Sequence, residues 1–172
     1  MKKRLALLFV LLFAVGIVFP AKGNTVYIRD DDVMIVEHGN IIEKFKDFAD
    51  GWEYAVGQDD DPVTITLYKD WVATDGKLTD DGYAYMNNGA LDITLDLNGH
   101  TIDRGLKTVK REGQVFRLQN GKLTITDSVG TGKITGGNEF SGGGAFNVQC
   151  GKLYIKGGEI SGNFAAYGAA IY

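Results

Sequence analysis

Only a handful of residues in this 172-residue chain have the types and spacing that chemistry requires. Asp59, Asp60 and Asp61 stand together in "GQDDDP" at 57–62. Paired carboxylates cleave a glycosidic bond when both face one cleft, one protonating the leaving oxygen and the other activating water. These three precede any strand that could build such a cleft, and no histidine-glycine motif or basic pair follows to complete the set. They read as a solvated loop. Asp30, Asp31 and Asp32 could offer oxygen ligands to calcium, but they lack the alternating spacing and central glycine of a loop site. They read as a charged turn. His100 follows Asn98-Gly99 at a turn, with no second histidine and no evident acid partner, and a structural role is expected for it. Cys150 is the single cysteine, so no internal disulfide forms. Nothing near it in sequence would lower its pKa as a nucleophile needs, and a partly buried free thiol is expected. His38 and His100 are the two histidines, too few with one cysteine for a zinc cluster. The expectation is therefore no catalytic residue, no metal and no cofactor in this segment.

Aromatic side chains are the remaining candidates. Trp71, Tyr83, Tyr85 and Tyr154 are the ones that could face a ligand, since flat apolar rings beside polar groups suit sugar rings or protein partners. Ordinary strand composition accounts for them equally well, because tyrosine and tryptophan favour sheets.

The elements that must position these residues come from a repeat. "GALDITLDLNGHTIDRG", "GQVFRLQNGKLTITDSVGTGKITGG" and "GGAFNVQCGKLYIKGGEISGN" align, and "GAAIY" begins a fourth copy. Leu91, Phe116, Phe146 and Ile171 form one apolar column, spaced 25, 30 and 25. Ile93, Leu118 and Val148 form a second; Leu95, Leu123 and Leu153 a third; Leu97, Ile125 and Ile155 a fourth; Ile102, Ile134 and Ile160 a fifth. Arg117, Thr124, Asn147, Tyr154 and Lys156 fall between them and should point outward. A strand has a side-chain period of two, so each short strand presents one apolar face. A unit of this size cannot bury that face alone, but stacked units can, each strand pairing in parallel with its equivalent in the next winding. The pattern predicts an all-β fold, a parallel β-helix of about four coils. An earlier coil is expected at Val63–Tyr68, followed by Trp71, Val72 and "GYAYMNNGAL". The first aligned segment is three residues short of the "QNGK" and "QCGK" corners, so that coil either lacks the corner or is built differently. An antiparallel sandwich is the competing architecture, but it does not explain columns in phase at 25–30 residues.

Flanking segments complete the organisation. Residues 1–23 carry a basic start, an apolar run from Leu5 to Phe19 and small residues before Asn24, the layout of a secretory signal peptide. A retained membrane anchor is the alternative, but the run is short against the roughly 20 residues needed to span. Its removal takes away Lys2, Lys3, Arg4 and Lys22 and changes the formal net charge from −4 to −8. An acidic surface disfavours nucleic acid and anionic membranes as partners. Residues 24–60 are expected to form an N-terminal cap: a hairpin around His38-Gly39-Asn40, then a short helix with Phe48, Trp52, Ala55 and Val56 on one face. Residues 61–172 hold the β-helix repeats, expected to be C-terminally incomplete because Tyr172 falls inside what should be a new strand.

"LDLNGHTIDRGL", "LTITDSVGTGKITGG" and "GGEISGN…YGAAIY", with "FADGWEYAV" and "VTITLYKDW" before them, resemble the repeats of right-handed parallel β-helix proteins secreted by gut and rumen Firmicutes, of the pectate-lyase-like superfold. The resemblance covers about 47–172. It implies that the winding is right-handed, and it implies architecture more than chemistry, because the superfold hosts lyases, hydrolases, adhesins and modules without activity. It suggests a corner ion pair for Asp103 and Arg104. The functional expectation is a secreted or cell-surface module, non-catalytic here, serving as a stalk or adhesin-like surface toward glycans or host proteins. The alternative is the N-terminal part of a polysaccharide lyase or glycoside hydrolase with its active site beyond residue 172. Self-association through the uncapped last coil is also expected.

Overall fold

A computed structural model describes residues 17–21, 24–59 and 62–172. The chain divides into two compact units, Met1–Asp31 and Asp32–Tyr172. In the first, β1 (Ile17–Ala21) and β2 (Asn24–Ile28) pair as an antiparallel hairpin. Most of the expected signal segment, residues 1–16 with Lys22 and Gly23, lies outside the described residues. No described helix is long and apolar enough to cross a membrane.

The second unit is all-β with one short helix. In chain order it holds β3 (Met34–His38), β4 (Ile41–Phe45), α1 (Phe48–Val56), β5 (Val63–Leu67), β6 (Trp71–Val72), β7 (Ala84–Met86), β8 (Asp92–Asp96) and β9 (Thr101–Asp103). There follow β10 (Phe116–Leu118), β11 (Lys122–Thr126), β12 (Lys133–Thr135), β13 (Asn138–Gly142), β14 (Phe146–Val148), β15 (Lys152–Ile155), β16 (Glu159–Ile160) and β17 (Phe164–Tyr167). The strands from β5 onward stack in parallel as a solenoid of about three turns. Its sheets run β7-β10-β14, β5-β8-β11-β15, β6-β9-β12-β16 and β13-β17.

Equivalent side chains lie over one another, as the repeat requires. Leu123 pairs with Leu153 and Ile125 with Ile155; Phe116 pairs with Phe146 at a ring separation of 5.1 Å; Ile102, Ile134 and Ile160 align. The first winding corrects the expected columns. Phe116 lies on Ala84 and Leu118 on Met86, not on Leu91 and Ile93. Ile93 and Leu95 instead lie beneath Leu123 and Ile125, and above Val63 and Ile65. The corner explains the shift. Residues 87–91 separate β7 from β8, whereas 119–121 and 149–151 suffice in the next two windings. Leu91 turns inward from that longer corner, 2% exposed, and so imitates a strand position. The missing corner of the first aligned segment is therefore "NNGAL", and its first strand is "AYM".

The expected hairpin and helix are both present. Gly39 takes φ 58° in the two-residue turn between β3 and β4, a conformation glycine adopts at little cost. β3 then pairs antiparallel with β5 and extends the parallel sheet. Asp47 caps α1 by accepting from the Ala49 amide at 2.7 Å. Phe48, Trp52 and Ala55 are buried along one face. Trp52 donates from Nε1 to the Tyr85 carbonyl at 3.0 Å and meets the Phe116 ring edge-on at 5.4 Å. The helix thus covers β7 where another winding would have placed a strand. The solenoid it closes has about three turns, against the expectation of about four coils.

Candidate functional site

A cleft lined by polar side chains lies on the outer face of the β7-β10-β14 sheet. Tyr85, Arg117 and Asn147 occupy matched outward positions on three successive strands. Gln119 and Gln149 follow them at the first corner, and Tyr85 donates its hydroxyl hydrogen to Gln119 Oε1. One wall of the cleft, which has a volume of about 440 Å³, is the loop carrying Arg111, Glu112 and Gln114. Another is the segment Glu139–Ser141 on β13.

Backbone pairing sets this wall in place. Lys110 donates its amide hydrogen to the Asn138 carbonyl at 2.9 Å, Phe140 donates to the Lys110 carbonyl at 3.1 Å, and Asn138 donates to the Gly113 carbonyl at 2.9 Å. Gly113 is needed there, since a Cβ would fall 2.1 Å from the Asn138 oxygen. Glu139 is buried and accepts from the Gly113 amide, and from the Ser141 amide and hydroxyl, both at 3.2 Å. Beneath the loop Arg104 is 1% exposed. It donates from Nε to the Gly76 carbonyl at 3.1 Å and from Nη1 to the Gln114 carbonyl. Burial lowers its pKa to about 10, while Glu139, Tyr83 and Glu112 pull the other way, so it remains a cation at neutral pH. This buried guanidinium, bonded to Gln114, and the Glu139 carboxylate, bonded to Gly113, hold adjacent residues at the loop base.

The tip is less settled. Glu112 is exposed with φ 60°, a left-handed conformation that non-glycine residues rarely take. Its carboxylate lies 3.3 Å from Arg117 Nη1, which is also 3.4 Å from the Tyr83 hydroxyl. Arg117 Nε is enclosed and finds no acceptor. Phe140 is 60% exposed, with the Arg111 guanidinium 5.8 Å from its ring centroid.

The four aromatic candidates separate. Tyr83 and Tyr85 meet edge to face at 6.1 Å. Tyr83 is only 7% exposed, beneath the Arg104 guanidinium, so its ring is part of the packing rather than open to a ligand. Tyr85 is half-buried and outward. Trp71 begins the β6-β9-β12-β16 sheet, packs against the core, and its Nε1 finds no acceptor. Tyr154 is exposed on a third sheet, beside Thr124. The structure brings together the first pair alone.

Other expectations are settled locally. His100 has an acid neighbour that its surrounding sequence does not reveal: Asp70, 3.4 Å from Nδ1, which also accepts from the Thr101 amide at 2.8 Å. Asp103 and Arg104 do not form the expected corner pair. Adjacent residues at a strand end point apart; Asp103 accepts from the Gly105 amide at 2.7 Å while Arg104 turns inward. Cys150 is exposed rather than partly buried, because the "QCGK" corner stacks on the outside of "QNGK". Asp59 is exposed, and Asp60 and Asp61 lie outside the described residues. Asp30 and Asp31 are exposed and Asp32 is buried. Among the described residues, no three His, Cys, Asp or Glu side chains are grouped to hold a metal ion.

Alternation along the strands already marks Arg117 and Asn147 as outward. Glu112, Glu139 and Phe140 carry no such mark, and the one sign of their setting is the glycine-rich bracket, Gly136-Gly137 and Gly142–Gly144, around β13. Compared with known proteins, the chain matches no family model, no curated protein and no solved structure.

Proposed function

We propose that this chain is a glycan-binding module of a secreted or cell-surface parallel β-helix protein, an adhesin-like surface without catalysis in this segment. The observation that carries the reading is the cleft over Arg117, Asn147 and Gln149, where planar polar groups stand beside an exposed Phe140 ring. Guanidinium and amide planes match pairs of neighbouring hydroxyls, and a flat ring suits the apolar face of a sugar. The two carboxylates of the cleft favour binding over bond cleavage. Glu139 is engaged by three donors that fix the loop, and Glu112 is turned onto Arg117. Proton transfer in hydrolysis needs one such group free to give a proton and the other free to take one.

The winding is proposed to be right-handed, the hand that nearly all parallel crossovers take, and to belong with the pectate-lyase-like superfold that residues 47–172 resemble. The basic start and apolar run of residues 1–23, read as an export signal, support the location. The test is a titration of plant and mucin glycans against the wild type and Phe140→Ala, with reducing ends and unsaturated uronate absorbance followed in parallel. Binding that weakens in the variant, without new ends, is the expected result. Turnover would overturn it in favour of a lyase or hydrolase, and binding of a protein from the same surfaces without any glycan would favour a protein receptor.

A further inference from the structure

We infer that the cleft is a subsite for an anionic group, and that Glu112 is its built-in competitor. The inference rests on the glycan reading only for the identity of the molecule that carries the anion. Three observations converge on Arg117. It sits at the centre of the outward ladder, between Tyr85 and Asn147. Its Nη1 contacts are long, at 3.3 and 3.4 Å, and its Nε–H has no acceptor, an uncommon state for a buried donor. The acid paired with it, Glu112, takes φ 60° in an exposed loop.

A non-glycine residue held in that region points to a backbone constrained for a purpose other than stability. Here the constraint lays a carboxylate onto a guanidinium that nothing else fully satisfies. The remaining charges agree. Arg111 and Arg117 line the cleft together with Glu112 and Glu139, and Lys107 and Lys110, exposed on the same loop, add two cations beside it. A carboxylate or sulfate on an incoming ligand can displace Glu112 from Nη1, accept from the guanidinium there in its place, and leave Glu112 to solvent.

The direct test uses the full chain labelled with ¹⁵N-arginine, following the Arg117 Nε–H resonance, assigned with Arg117→Lys, while sodium propionate or sodium sulfate is added. The expected result is a saturable shift, with affinity about threefold tighter in Glu112→Gln, the scale of one exposed ion pair. The two salts separate carboxylate from sulfate as the preferred anion. A second arm compares a glucuronate-containing tetrasaccharide with the same tetrasaccharide carboxyl-reduced to the neutral alcohol. Preference for the acid, falling roughly tenfold in Arg117→Gln, is expected. An unmoved resonance, or unchanged affinity in Glu112→Gln, overturns the inference even if both tetrasaccharides bind, which would leave the glycan reading standing. A shifted resonance with neither tetrasaccharide bound keeps the anion subsite and removes the glycan reading.

Discussion

Asp127 illustrates how a single residue can tie one winding to the next. Its carboxylate accepts from the Gly99 amide of the winding below at 2.8 Å and from the Gly132 amide of its own corner at 2.6 Å. Desolvation alone would raise its pKa, but the Gly132, Gly99, Gly130 and Val129 amides outweigh that and hold it below the usual carboxylate range. The folded value lies below the unfolded one, so the stability Asp127 contributes is present above about pH 4 and is lost as pH falls through the folded value. Asp127→Asn should cost about 1 kcal/mol at neutral pH, the low end for charge-assisted bonds because solvent screens this corner. Urea titrations of both proteins would show the gap at pH 7 and its closure toward pH 2; a gap independent of pH would mean that the charge is irrelevant. Such a role is only half legible in the sequence. "TDSVGTGK" marks a corner, but the partner amide is 28 residues away and becomes visible only when the windings are in register. His100 and Asp70 escape notice for the same reason, being neighbours across windings.

At the scale of elements, α1 closes the stack through one side chain. Trp52 is 1% exposed, stacked 6.1 Å from Phe48 and edge-on to Phe116. Trp52→Ala should destabilise the unit by about 3–5 kcal/mol. Trp52→Phe should restore most of the packing and lose about 1 kcal/mol for the unpaired Tyr85 carbonyl. Chemical denaturation followed by circular dichroism checks both, and equal losses in the two variants would show that the hydrogen bond rather than the ring closes the end. This helix is legible because Phe48, Trp52 and Ala55 repeat at its own period and Asp47 stands at its cap. The corner before β8 is not, because Leu91 is as apolar and as inward as a strand residue, so alignment by hydrophobic identity slips by a whole strand. That slip also hides the site. With Ala84 beneath Phe116, Tyr85 joins the Arg117–Asn147 ladder; with Leu91 there, it does not. The loop wall is hidden more deeply, since pairing of residues 110–113 with 138–140 follows no column at all.

Along the solenoid as a whole, burial is shared between windings, and its falloff can be read from matched pairs. Ile125 is fully buried between Leu95 and Ile155, whereas Ile155, with a partner on one side only, is 38% exposed. Residues 169–172 pair along β14, with Phe146 donating to the Ala170 carbonyl at 2.8 Å and Tyr172 to the Phe146 carbonyl at 3.0 Å, but β15 and β16 end their sheets, so this face presents unpaired backbone edges together with exposed Ile155, Ile171 and Tyr172. Such edges are templates for pairing with another chain. The 172-residue protein is therefore expected to self-associate, its mass rising with concentration in static light scattering. Charge opposes the contact: an acidic chain repels its copies, and that repulsion is screened within about 10 Å at 0.1 M salt. Association should therefore strengthen with added sodium chloride, whereas association driven by ion pairs would weaken. Ile155→Lys places a cation on the apolar edge at a site already part-exposed, and should return the protein to monomer without unfolding it. A monomer at all concentrations and salts would mean that the exposed edges of β15 and β16 do not template pairing.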